Sequence, residues 1–179
     1  KFLPGGWGGS SNSMIKSSVF KSIGGCDDDV FVQDFSLPMR VAGYHLKNKG
    51  NKKFKIGQSQ KLICVAPEFI ENRIISNNGQ LLYDLSIATI NFLESHKFVK
   101  KSLVKKCKIK ILSRCWSWQR RHNKVSFFNR LFLTYLNNRI FKNLSLEILR
   151  LIVFDTWKGE SLRKIKLKTG PKKILIYVG

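Results

Sequence analysis

The sequence predicts an α/β protein, and three observations carry that expectation. Long stretches repeat apolar residues at helical spacing, and short apolar runs bounded by turn residues read as strands. In addition, 43% of the chain is apolar, which is ample for a packed core and excludes a disordered polyelectrolyte. The 179 residues fit one ordinary domain or a piece of a larger one. The chain opens on Lys1 and Phe2-Leu3-Pro4-Gly5-Gly6 with no charged-then-apolar leader. That opening reads as the interior of a longer protein without a visible signal peptide.

Taken in order, Gly5 to Ser13 is a Gly/Ser-rich segment whose backbone can approach a ligand closely. Ser13 to Phe20 reads as a strand edge followed by a short helix. Ile23-Gly24-Gly25-Cys26-Asp27-Asp28-Asp29 is a tight turn into an acidic loop. Asp34 to Ala42 reads as a helix, with Asp34 at its positive end, Pro38 in its first turn and Gly43-Tyr44 as its stop. Lys47 to Lys55 is a basic loop. Phe54-Lys55-Ile56 and Leu62 to Ala66 are expected strands, the second ended by Pro67. Residues 80–98 form an amphipathic helix with Leu82, Leu85, Thr89 and Phe92-Leu93 on one face. Lys100 to Lys110 is a basic run, and residues 125–154 again carry helical spacing through Phe128, Leu131, Phe132, Tyr135 and Leu136. Lys172 to Val178 reads as a final strand.

Charge divides the chain. Of its net +22, residues 1–90 carry 11 basic and 7 acidic side chains, and residues 91–179 carry 22 basic and 4 acidic. The first half is thus near +4 and the second near +18. Such a field favours anionic partners: nucleic acid, an anionic leaflet or phosphate-bearing substrates. A Lys-, Asn- and Ile-rich composition also follows from AT-rich coding, which accounts for part of the charge without any partner. Cys26, Cys64, Cys107 and Cys115 contain no CxxC pair, so they are expected as free buried thiols rather than a zinc site. No run of roughly 18 apolar residues is present to span a bilayer.

One stretch carries chemistry. Gly9-Ser10-Ser11-Asn12-Ser13-Met14-Ile15 is followed by Val19-Phe20 and Ile23-Gly24-Gly25-Cys26-Asp27. Phe31-Val32-Gln33-Asp34-Phe35-Ser36-Leu37, Arg40 and Gly43-Tyr44 complete it. This pattern, over about residues 8–46, resembles the acceptor half of family 2 glycosyltransferases. The resemblance implies a partial GT-A (Rossmann-like) sheet-and-helix domain in 1–98, its donor-binding half lying upstream. A basic, mostly helical extension would follow in 99–179. Cys26 stands where the family usually has Phe, a change expected to keep a buried apolar contact.

By that resemblance Asp34 is the general base that takes the acceptor hydroxyl's proton, a task for an ionised carboxylate within hydrogen-bond reach. A helix N-cap is the plainer reading of the same Asp. Gln33 would orient Asp34 or touch the acceptor, or be an ordinary surface amide. Arg40 would bind a phosphate or brace the base, or simply serve an amphipathic helix. Trp7, Gly8, Gly9 and Ser10 would line the sugar and acceptor cleft, and Trp7 suits core packing equally well.

The literal D-x-D of Asp27-Asp28-Asp29 is not assigned as a metal motif, because it follows Gly-Gly-Cys rather than closing an apolar strand. No residue of this sequence is expected to ligate a metal. A divalent metal, Mg or Mn, is implied for the longer enzyme with its ligands mostly upstream. His45, His96 and His122 do not fall where relatives carry a downstream metal His. Without Q-x-x-R-W, single addition is favoured over processive synthesis. The implied partners are a nucleotide-sugar donor and a saccharide or lipid-linked acceptor of surface polysaccharide or lipopolysaccharide synthesis.

Trp116, Trp118, Arg120, Arg121 and His122 mix aromatics with cations, as nucleic-acid binders and membrane-surface helices both do. A catalytically inert, basic nucleic-acid-binding protein is the rival reading, and no RRM, KH, OB or helix-turn-helix signature supports it. Residues 99–154 fit an anionic membrane surface better, which implies a cytoplasmic protein peripheral to the inner face of the membrane.

Overall fold

The computed structural model describes residues 14–48, 78–122 and 144–163. Helix α1 spans Ser17–Ser22 and stops because Gly24 and Gly25 both take positive φ, 76° and 71°. In that turn the Gly25 N–H returns to the Phe20 carbonyl at 2.9 Å and the Gly24 N–H to that of Lys21 at 3.0 Å. Helix α2 spans Gln33–Lys47, α3 Asn78–Ser95, α4 Lys101–Arg121 and α5 Leu146–Thr156. At the start of α5 the Ser145 hydroxyl accepts from the Ile148 N–H at 3.1 Å, and Glu147 lies in the first turn.

Helix α3 is the centre of the packing. It contacts α2, α4 and α5, and α4 packs on α5 as well. That position explains its composition: Ile87, Ala88, Ile90, Phe92 and Leu93 are all buried. Helix α4 is amphipathic. Cys107, Ile111, Leu112, Cys115 and Trp118 face the core, while Lys101, Lys105, Lys106 and Lys110 stay exposed. Leu149 and Val153 of α5 and the following Trp157 close the cluster, which draws on residues from both sides of position 98. Trp157 packs against Trp118 with ring centroids 6.0 Å apart and edge-on to Tyr83 at 6.1 Å.

The α/β expectation is corrected. Among the described residues 71% are helical, and none lies in a strand or sheet. These residues do not build a GT-A sheet-and-helix domain. The physical reason is periodicity: Cys107, Ile111, Cys115 and Trp118, or Ile87 and Ile90, recur every three or four residues and bury one stripe of a helix. The strands expected at 54–56, 62–66 and 172–178 fall outside the described residues, as do 125–143 of the expected last helix. No strand edge precedes α1 within 14–16.

Boundaries also move. Gly43-Tyr44 does not stop α2, which runs on to Lys47. A Cβ on Gly43 would stand 2.2 Å from His96 Nε2, so this glycine is a packing position that admits the end of α3, not a terminator. Pro38 sits in the second turn of α2 and has no N–H to offer the Asp34 carbonyl four residues back. Helix α3 ends at Ser95 rather than 98, and a turn over 96–100 leads into α4. Among the described cysteines, Cys107 and Cys115 are buried free thiols as expected, but Cys26 is exposed. The burial expected of Cys26 is thus not found. Among the described residues no helix is long and apolar enough to cross a membrane.

Candidate functional site at the start of helix α2

The loop between α1 and α2 is held by side chains that substitute for missing backbone partners. Val32 is the N-cap residue of α2 and has no side-chain oxygen to cap it. Its own N–H is instead taken by Asp84 Oδ2 of α3 at 2.8 Å. Asp84 is 1% exposed and also accepts from Gln80 Nε2 at 2.9 Å. Burial pushes its carboxyl above the usual carboxylate range, and the bonds from Gln80 and the Val32 and Phe31 amides pull it part of the way back.

Gln33 clamps the loop from the other side. Its Nε2 donates to the Asp27 carbonyl at 2.9 Å and to the Val30 carbonyl. Its Oε1 accepts from the Asp27 N–H at 3.0 Å and from the Ser36 hydroxyl at 2.6 Å. The amide therefore acts as an extra peptide group pairing with residue 27. Sequence reading had Gln33 orienting Asp34, touching the acceptor or lying as a surface amide; in the structure its amide is bonded to the loop and to Ser36.

Asp34 lies next in the chain, half-buried in the first turn of α2. It is a first-turn residue and not the cap, since Val32 occupies that place. Arg40, further along α2, braces the loop: Nε donates to the Ile23 carbonyl at 3.2 Å, and Nη2 donates to the same oxygen. A Cβ on Gly24 would meet Nη2 at 2.9 Å, so the Gly-Gly turn is what lets the guanidinium in. Trp7, Gly8, Gly9 and Ser10 lie outside the described residues.

Asp27 is buried and its carboxylate is tied to α3. Asn91 Nδ2 reaches Oδ2 at 3.1 Å and Oδ1 at 3.3 Å, and also Asp29 Oδ2 at 3.2 Å. Arg150 of α5 donates to Asn91 Oδ1 at 2.7 Å and pairs with Glu94 at 2.8 Å. The D-x-D carboxylates are thus engaged with an amide. No group of three His, Cys, Asp or Glu able to hold a metal occurs among the described residues. The divalent metal that the resemblance implies for the longer enzyme has its expected ligands mostly upstream of these residues.

A cavity of about 420 Å³ opens beside this loop, between α2 and the C-terminal part of α3. Asp27, Arg40, Tyr44, Lys47, Asn91 and His96 line it, over an apolar floor that includes Met39, Ala88 and Phe92. The structure thus brings Asp27 and Arg40 to one space, whereas Gln33 and Asp34 are not in its lining.

Sequence reading did not assign Asp84 or Asn91 any role. A signal existed: Gln80, Asp84, Ser86 and Thr89 are polar residues on the buried side of an apolar helix, and such groups require partners. No protein-family model, curated protein or solved structure matches the chain.

Proposed function

We propose that this chain supplies the acceptor side of an inverting, nucleotide-sugar-dependent glycosyltransferase, with Asp34 as general base. The observation that carries the reading is the placement of Asp34. It is a half-buried carboxylate in the first turn of a 15-residue helix whose start is fixed by Asp84 and Gln33. Asp34 takes the proton of an acceptor hydroxyl as that oxygen attacks the anomeric carbon. The bond from that carbon to the nucleoside diphosphate breaks with inversion, and the diphosphate leaves with the electron pair. Arg40 holds the Gly24-Gly25 turn against α2, and Gln33 keeps the loop seated, so both act through position.

The acceptor is a saccharide or a lipid-linked sugar. The exposed lysines of α4 supply attraction to anionic headgroups at the cytoplasmic face of a membrane. In the longest native chain containing this segment, Asp34→Asn and Asp34→Ala should lower sugar transfer by about a hundredfold or more while nucleotide-sugar binding is kept. Retained turnover in either variant rejects Asp34 as the base.

A further inference from the structure

The cavity beside α2 has a hydrogen-bonding character that its lining dictates. Arg40 and Lys47 fall on one face of α2, seven residues apart, and present cationic donors. The Arg40 fork spends Nε and Nη2 on the Ile23 carbonyl, which holds the guanidinium in place and leaves its outer N–H groups for a ligand. Part of the remaining polar lining is of the opposite kind. Ser22 donates its hydroxyl proton to the Ser18 carbonyl at 2.7 Å, and Ser95 donates its own to the Asn91 carbonyl at 2.8 Å. Each hydroxyl therefore turns acceptor lone pairs, not a proton, toward a ligand. Asp27 adds a carboxylate whose oxygens already accept from Asn91 Nδ2 and the Asp29 N–H and keep lone pairs for one further donor.

A bare anion satisfies only the cations and is repelled by Asp27. A neutral sugar satisfies the acceptors and leaves Arg40 and Lys47 without a counter-charge. We propose that the cavity is a binding site for a phosphate-bearing hexose. Its phosphate meets Arg40 and Lys47, its hydroxyls donate to Asp27, Ser22 and Ser95, and its ring lies against the apolar floor of the cavity. The volume of about 420 Å³ lies in the range of small-ligand sites. Guanidinium and ammonium together are the usual protein answer to phosphate oxygens. The inference concerns binding alone and stands whether or not the chain takes part in sugar transfer.

Titration calorimetry of the 179-residue chain with the 1-phosphates of glucose, galactose and mannose tests it, with inorganic phosphate and free glucose as references. At least one hexose phosphate should bind about tenfold more tightly than inorganic phosphate, and free glucose should not bind measurably. Lys47→Met, on an exposed side chain, should weaken that affinity about tenfold. Arg120→Met and Arg121→Met on α4 should leave it unchanged. Arg40→Met should weaken it further, and loss of folding in that variant leaves the Lys47 result decisive. Equal affinity for all three hexose phosphates and inorganic phosphate would mean that a chain of net charge +22 simply attracts anions, and it would overturn the proposal. So would an unchanged affinity in Lys47→Met. A methyl phosphodiester of the best sugar mimics a lipid-carrier headgroup. Its binding assigns the ligand to a lipid-linked sugar, and its exclusion assigns it to the free monoester.

Discussion

The two sides of α3 are built from different interactions. On the α2 side, loop 23–32 is positioned by Asp84, Gln33, Asn91 and Arg40, each donating to or accepting from a specific group. Toward α4 and α5, the contact is mainly apolar: Ile111, Cys115 and Trp118 meet Leu149, Val153 and Trp157, with a few polar links such as Arg150 to Asn91 and Glu94 and Gln119 to Thr156. Apolar burial supplies free energy without direction, whereas a hydrogen bond contributes little net energy but fixes where an atom sits. The candidate base therefore stands on the side where geometry is specified, and stability resides on the other.

That contrast can be broken from its strong side first. Trp157 is 2% exposed at the junction of α3, α4 and α5. Trp157→Ala should cost about 3–5 kcal/mol in chemical denaturation, a large share of the stability of a chain this size. A loss below about 1 kcal/mol would show that the apolar side does not carry the fold.

Gly43→Ala probes the seam between α2 and the end of α3. The new methyl would collide with a ring that Phe92 stacks at 4.4 Å and whose Nδ1 donates to the Phe92 carbonyl at 3.0 Å. A loss of about 1–3 kcal/mol is expected. His96→Ala in the same chain should recover most of it. No recovery would place the strain elsewhere.

The smallest effect sharpens the polar side. Because burial raises Asp84, the folded chain keeps its proton where the unfolded chain has already released it. The associated stability is present below the unfolded aspartate pKa of about 3.9 and is lost as pH rises through the folded value. The stability of the wild type relative to Asp84→Asn should therefore fall as pH rises above about 4. A difference independent of pH would mean that Asp84 titrates alike in both states.

How much of this was legible in the sequence follows the same division. Helix α3 was readable because Leu82, Leu85 and Phe92-Leu93 repeat at helical spacing, and its position came within a turn at either end. The Gly24-Gly25 turn was readable because only glycine takes two successive positive φ values without strain. The extent of α2 was not, since Gly43 is a stop by propensity and a packing notch by contact with His96. Sheet character was inferred from a resemblance and from segments outside the described residues, while the described apolar stripes close on one another as helices. The roles of Gln33 and Asp84 were hidden for a simpler reason: their partners lie in other segments, and pattern along the chain does not reveal what faces a side chain across it.

The Gln80 amide joins two distant parts of the molecule. Its Oε1 accepts from the Arg163 N–H at 2.6 Å and its Nε2 donates to the Arg163 carbonyl at 3.3 Å, while the same Nε2 reaches Asp84. Residue 163 is thereby wired through Gln80 and Asp84 to Val32, one step from the start of α2. The chain beyond α5 acts as a tether for the candidate base, although it is nowhere near it in sequence. Ending the chain at Glu160 should cut that tether, visible as faster amide exchange at Val32 with α4 and α5 unaffected.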